Sequence, residues 1–350
     1  MSVVFAVLLF SLLIFVHEWG HFIAAKLSGV QVNEFSIFMG PAIVKWKKGE
    51  TQYSIRCIPI GGYCAMEGED GDSDNPRAFH KAAWWKRLII LVAGSFMNFV
   101  IGVIIVAIVL FCQPRYATTQ IAEINSKSAL VCENGLQVGD VILEFDGKQI
   151  SVYEDFTLAT LMLPDGEYEM VVLRNGEKVT LNNVPMIRQV QIDDGESLKY
   201  GITPVIKETT LASVPERILP SAMNHVKTVL VSLKLLLTGQ AGLKDMTGPV
   251  GIVKMMSDST SGVEIIAAMV NLLWFGGFIA INLAVMNLLP IPALDGGRVV
   301  GLLLTTAIEK VIRKKLDPQY EGYVHGIGMI LLLALMAIIL FKDIFVIFTR

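Results

Sequence analysis

Four long apolar runs interrupt a chain of otherwise mixed character: residues 2–25, 88–112, 264–289 and 324–348. Each is near or above the roughly 20 residues that a helix needs to cross the hydrocarbon core of a bilayer. The stretch between the second and third runs has ordinary soluble composition and is long enough for a folded domain. Within it, residues 116–205 alternate apolar and polar positions, with Asn175-Gly176 and Asp165-Gly166 as turn pairs, which predicts short strands. Farther on, Ile218, Met223, Val226, Val229, Leu230, Leu233 and Leu236 recur at helical spacing with Arg217, Lys227 and Lys234 between them. That pattern predicts an amphipathic helix over 217–238, lying on the outer membrane surface or packed on the insert. Residues 51–64 are apolar, too short to span, and alternate at Tyr53, Ile55 and Cys57; they predict a strand or hairpin at the membrane face.

Composition agrees with a membrane protein carrying a polar insert: 53% of residues are hydrophobic and 17% charged. A net charge of −3 gives no argument for nucleic acid, and none is expected as a partner. The first residues carry no basic cluster, which argues against a cleaved signal peptide. The cysteines at 57, 64, 112 and 132 form neither a disulfide framework nor a zinc-ribbon spacing, and whether Cys112 and Cys132 pair is left open. Lys26, Lys45, Lys47, Lys48, Arg56, Arg77, Lys81, Lys86 and Arg87 crowd the segment between the first two runs. Arg298, Lys310, Arg313, Lys314 and Lys315 crowd the one between the last two. The positive-inside rule places both segments in the cytoplasm, with the termini and the central insert outside. Trp84-Trp85 reads as an interfacial anchor.

The first apolar run contains His17-Glu18-Trp19-Gly20-His21. On a helix, H-E-x-x-H puts two imidazoles one turn apart on one face, roughly 6 Å along the axis. That suits two ligands of one zinc ion, with the glutamate placed to act on water at the metal. No charge interrupts Val3 to Val16, so the motif lies at membrane depth, where ionisable groups are costly and are functional candidates by default.

A catalytic zinc site needs a third protein ligand. His80 is in a charged loop, His225 is expected on the far side, and His325 opens the fourth run without a partner motif. Asp295 is the better candidate. It follows Asn287-Leu288-Leu289-Pro290-Ile291-Pro292-Ala293-Leu294 at the cytoplasmic end of the third run. The topology read from the loop charges brings it to the depth of His17 and His21. Pro290 and Pro292 cannot continue a helix, and irregular backbone at that depth is tolerated where it is buried or lines a wet cavity. Gly296 and Gly297 are expected to permit a tight turn beside the metal.

With these two motifs the chain resembles the site-2 proteases, intramembrane zinc metalloproteases of the M50 type, in the RseP/RasP-like branch with a single PDZ-like domain. Further similarity lies in residues 35–41, in Ile58-Pro59-Ile60-Gly61-Gly62-Tyr63 and in Gly94-Ser95-Phe96-Met97-Asn98-Phe99. At Phe38-Met39-Gly40-Pro41 the chain departs from the family, where a Gly before Phe and a Phe-Gly pair are expected. The resemblance implies zinc held by His17, His21 and Asp295, with Glu18 catalytic. It also implies that Asn282, Asn287, Pro290 and Pro292 hold substrate near the metal, with Asn287 or Asn282 as oxyanion donor. Val138-Gly139-Asp140-Val141-Ile142 and Phe145-Asp146-Gly147-Lys148-Gln149-Ile150 resemble bacterial PDZ domains, and the insert fits one such domain, not the tandem pair of some relatives.

The expected fold is therefore a multi-pass α-helical membrane protein of four transmembrane helices with an inserted small β-rich PDZ-like domain. The parts are a first membrane section (1–112), an extracytoplasmic PDZ-like domain (113–207), a membrane-surface connector (208–263) and a second membrane section (264–350). The expected activity is zinc-dependent hydrolysis of peptide bonds within or near the transmembrane segments of single-span proteins in the bacterial cytoplasmic membrane. The resemblance suggests anti-sigma factors or remnant signal peptides as substrates. Two alternatives are a catalytically silent membrane adaptor that presents its PDZ domain, and a prenyl-protein-type membrane zinc protease. The chain lacks the later glutamate-ligand arrangement of the second.

Overall fold

The computed structural model describes all residues except 1, 70, 126–127, 131–134, 162, 188–199, 243–244, 314–318 and 350. Cys132 and the lysines at 314 and 315 therefore lie outside the described residues. The chain forms two compact units, one of Met1–Ile105 with Val229–Arg350 and one of Val106–Thr228.

The four apolar runs are helices: α1 (Ser2–Ser28), α2 (Trp84–Cys112), α6 (Ile265–Asn287) and α8 (Gln319–Thr349). All four are long and apolar enough to cross a membrane. Between the first two, β1 (Val32–Lys48) and β2 (Thr51–Met66) pair antiparallel. Both strands are bent, and their register is doubled. Tyr53 lies against both Trp46 and Phe35, while Phe35 also lies against Cys64. Residues 51–56 thus sit inside the sheet, and 62–66 run along the outer side of 32–37. Arg56 ties the sheet together through Glu34 (2.8 Å), the Gly40 carbonyl (2.7 Å) and the Tyr63 hydroxyl.

Two apolar clusters hold the membrane unit. One joins Ala24, Ala25 and Val30 at the end of α1 with Val32, Phe35, Cys64 and Met66 of the sheet, Ile90 and Leu91 of α2, and Leu302. The other joins Ala6, Leu9 and Leu13 of α1 with Met256 and with Leu272, Ile279 and Ala280 of α6. Met256 belongs to α5 (Pro249–Thr260), whose first turn is capped from α8: the Gly251 amide donates to the buried Asp343 carboxylate at 2.9 Å. Leu302 belongs to α7 (Asp295–Ile312), a helix where the sequence predicts only a cytoplasmic loop. Leu302 and Gly296 are buried against the rest of the unit, while Val300, Leu303, Leu304 and Ile308 stay exposed on the other side of this helix.

The second unit is a sheet in the order β7-β6-β4-β3-β8, formed by β3 (Arg115–Ile124), β4 (Val141–Phe145), β6 (Gly166–Arg174), β7 (Glu177–Met186) and β8 (Ile202–Glu208). The two-residue β5 (Lys148–Gln149) pairs with β4. Asn175 and Gly176 both have positive φ, as a type I′ hairpin requires, and so do Asp146 and Gly147. Asp165-Gly166 is different from expectation: it makes no hairpin turn, because Gly166 already pairs with Met186 at the start of β6. Phe145, Met170, Val172, Ile142 and Met186 fill the core under α3 (Tyr153–Ala159).

The amphipathic helix appears as α4 (Ser213–Leu237), and within the second unit it is pinned by a buried carboxylate. Asp155 accepts from Lys227 Nζ (2.8 Å), Asn224 Nδ2 (3.2 Å) and the Ser151 amide (3.0 Å). Burial alone would raise this carboxyl, but those donors prevail and hold it below the ordinary aspartate range. A depressed folded value contributes stability that is complete above the unfolded value of about 3.9 and is lost as pH falls through the folded one. The protection factors of amides at residues 151–155 in the full chain, exchange rates divided into their intrinsic values at each pH, should accordingly stay flat from neutral pH down to about 5 and fall only below the unfolded value. Asp155→Ala should weaken protection there by about 2 kcal/mol at neutral pH, the scale of hydrogen bonds to a charged group.

Candidate metal centre

His17 and His21 lie one turn apart on α1, and the stripe of α2 facing them follows from a spacing of four. Ile90, Gly94 and Asn98 fall on one face of that helix. The Ile90 carbonyl lies 2.8 Å from His21 Nδ1, and the Asn98 amide lies 3.4 Å from His17 Nδ1. Gly94 makes room between them, since a Cβ there would collide with His21 Nε2 and come within 2.8 Å of His17 Cε1. From the opposite side, a Cβ on Gly20 would sit 2.5 Å from the Ala93 carbonyl oxygen. Two glycines therefore set how closely α1 and α2 approach.

Asp295 arrives from another direction. Helix α6 ends at Asn287, before Pro290 and Pro292, and α7 begins at Asp295, so the carboxylate occupies a helix N-terminus, where the backbone dipole favours negative charge. Gly296 and Gly297 are not in a tight turn, contrary to expectation. They form the first turn of α7, and a Cβ on either would strike the backbone of 288–292, which folds over them. Their use is close approach, not a special φ. Arg298, in the same turn, forms an ion pair with Glu69 just beyond β2.

The three groups meet. His17 Nε2 and His21 Nε2 are 3.2 Å apart, and Asp295 Oδ2 lies 3.1 Å from the first and 3.4 Å from the second. With Nδ1 of His21 donating to the Ile90 carbonyl, its Nε2 carries a bare lone pair. The Asn98 Oδ1 is buried without a partner while its Nδ2 faces His17 Nδ1. Turned about its axis, that amide accepts from His17 Nδ1 and leaves His17 Nε2 bare as well. Asp295 Oδ2 is buried and makes no hydrogen bond. Three lone pairs thus face one another, which is repulsive unless a cation lies between them. Ligand distances of 2.0–2.2 Å in a tetrahedral zinc site imply ligand-to-ligand separations of about 3.3 Å, so this donor set fits zinc.

The remaining candidates are placed less closely. Asn282 is half-buried on α6, Asn287 closes that helix, Pro290 is exposed and Pro292 half-buried in the loop before Asp295. Among the described residues no hydrogen bond joins either asparagine to the trio. Glu18 points toward β2, where a Cβ on Gly62 would lie 3.5 Å from its Cγ. His80 is taken up by the Gly68 carbonyl (3.1 Å) and Asp72 (3.4 Å), and His225 is buried on α4. His325, which the sequence leaves without a partner, accepts from the Ala293 amide at 3.1 Å. Reading for ligands alone passes over Gly20, Gly94 and the Glu69–Arg298 pair; the four-residue spacing of Ile90, Gly94 and Asn98 is the signal that could have found the α2 stripe.

Comparison with known proteins agrees with this chemistry. The model of peptidase family M50 matches residues 5–335. A Clostridium perfringens protein is 36% identical over 346 residues, covering 98% of both chains. A Fusobacterium nucleatum protein is 35% identical over 356 residues, covering 99% of this chain and all of its own. The zinc metalloprotease RasP of Bacillus licheniformis is 27% identical over 424 residues, covering 98% of both. A full-length match to the family, a donor set that fits zinc and four membrane-length helices lead to one conclusion: this chain belongs to peptidase family M50 and is a multi-pass membrane zinc metalloprotease.

Proposed function

We propose that this metalloprotease hydrolyses peptide bonds within or beside the transmembrane segments of single-span membrane proteins, with anti-sigma factors or remnant signal peptides as the substrate class. The observation that carries the reading is the triangle of His17 Nε2, His21 Nε2 and Asp295 Oδ2, edges 3.1–3.4 Å, with both histidines on a helix of membrane length.

In this reading His17, His21 and Asp295 hold zinc, and Glu18 is the general base and acid. Zinc, when bound, supplies Lewis acidity toward water and toward the scissile carbonyl. The Ile90 carbonyl and Asn98 hold the two imidazoles in the tautomer that coordinates through Nε2. Glu18 accepts the proton of the attacking water and returns it to the leaving amine. Residues 62–66 of β2 pass beside Glu18, and among the described residues no further strand pairs with their outer edge. An unwound substrate would bind there through its backbone, as an added strand. Asn282, Asn287, Pro290 and Pro292 shape the approach to the metal, with an asparagine amide available to the oxyanion.

The β domain serves as a PDZ-like module, binding a chain end or limiting the size of what reaches the membrane. The functional division follows residues 1–112, 113–207, 208–263 and 264–350. In the bacterial cytoplasmic membrane, the Lys- and Arg-rich segments face the cytoplasm, and both termini and the β domain lie outside.

Three outcomes test this. Glu18→Gln should retain zinc, measured by metal analysis, while cleavage of a transmembrane peptide falls by on the order of 10³-fold; undiminished cleavage would remove Glu18 from the mechanism. Gly94→Ala, which drives a methyl into His21, should lose zinc although it removes no ligand, and a variant that binds zinc like the wild type contradicts the proposed packing. A cysteine introduced in place of Lys48 should be labelled by an impermeant thiol reagent only after the membrane is opened; labelling of intact cells reverses the orientation.

A further inference from the structure

α8 is mostly exposed along its length, yet its first turns are seated on the loop that delivers Asp295. Three features of that seat belong together. Ala293 has φ 81°, the left-handed region in which an L side chain is strained and which persists only when its surroundings impose it. Its amide is at a depth where an unpaired donor is costly, and the acceptor is not backbone but Nδ1 of His325, at 3.1 Å. One turn along the same face of α8, Gly328 lies so close to Pro292 that a Cβ there would come within 2.8 Å of the Pro292 carbonyl. The ring and the glycine thus grip two successive residues, and Asp295 follows Ala293 by only two positions.

We propose that His325 is a positioning residue for the third metal ligand: by accepting from the Ala293 amide it holds in place the backbone turn that aims Asp295 Oδ2 at His17 and His21. The inference rests on the ligand set proposed above and adds to it a dependence on the fourth membrane helix. Ligands of a metal site must be held within about 0.5 Å of productive geometry, and groups that orient ligands without touching the metal are the usual means. The Glu69–Arg298 pair fixes the far side of the same turn of α7, but it acts after Asp295; the turn over 291–294 is closed by the Leu294 amide on the Ile291 carbonyl (3.1 Å), and His325 adds the acceptor from outside that holds Ala293 in it. Nothing in this role requires His325 to change charge; it is used as a lone pair on a rigid ring.

The test compares the purified full-length chain with His325→Phe, which keeps a ring without the acceptor, and His325→Asn, whose Oδ1 falls near the place of the imidazole Nδ1. Zinc content is followed during incubation with a chelator, and kcat and KM are measured on a transmembrane peptide. His325→Phe should lose zinc and kcat by about 10-fold or more, the range for removing a group that orients a ligand, with KM nearly unchanged. His325→Asn should restore most of both. If His325→Phe does not fold, judged by helical circular dichroism, His325→Ala makes the same comparison without bulk. Zinc retention in His325→Phe equal to wild type overturns the proposal, and so does an asparagine variant as impaired as the phenylalanine one. A wild-type protein that holds no zinc would instead refute the ligand assignment, which separates the two failures.

Discussion

The crossing of α1 and α2 leaves no room for a Cβ at either of its two contact positions. Gly20 and Gly94 permit it, and the rest of the metal centre depends on that approach. Only at this separation does the Ile90 carbonyl reach one imidazole and the Asn98 amide the other. Each contact occupies an Nδ1 and frees an Nε2, so the crossing decides both where the rings stand and which nitrogen presents its lone pair. Lipid gives little hydrophobic reason for helices to associate, and small residues at the crossing let backbone contact and hydrogen bonds do so instead.

The third arm of the centre is irregular backbone between α6 and α7, and several other segments support it. The loop after α6 folds over Gly296 and Gly297, the Glu69–Arg298 pair ties the first turn of α7 to the end of the sheet, and α8 covers Pro292 and Ala293. Leu302 then anchors α7 in the cluster shared by α1, α2 and the sheet. Each support answers a physical demand: backbone polar groups removed from water need partners, and a carboxylate brought near two imidazoles needs a fixed direction.

Much of this was legible along the chain. Spans are set by local hydropathy, the histidine pair by helical period and the hairpin turns of the β domain by residue type, and none of these needs knowledge of distant contacts. What escaped was of another kind. Asp165-Gly166 has the composition of a turn but is drawn into β6 by its pairing with Met186. The segment after Asp295 carries Arg298, Glu309 and Lys310 yet is helical, anchored by Leu302 in the cluster under the sheet. His325 has no motif, and its partner is a backbone amide 32 residues away, which no side-chain pattern announces.

The sequence by itself determined that the chain enters the membrane four times, that two imidazoles share one helical face there, and that a β-rich insert separates the halves. Those follow from period and hydrophobicity, which act over neighbouring residues. The tertiary structure alone decided that Asp295 Oδ2 comes within 3.4 Å of both histidines, that Gly94 leaves the room for them, and that α8 grips the loop between. These are meetings of segments tens to hundreds of residues apart, and their geometry depends on how closely the helices can pack.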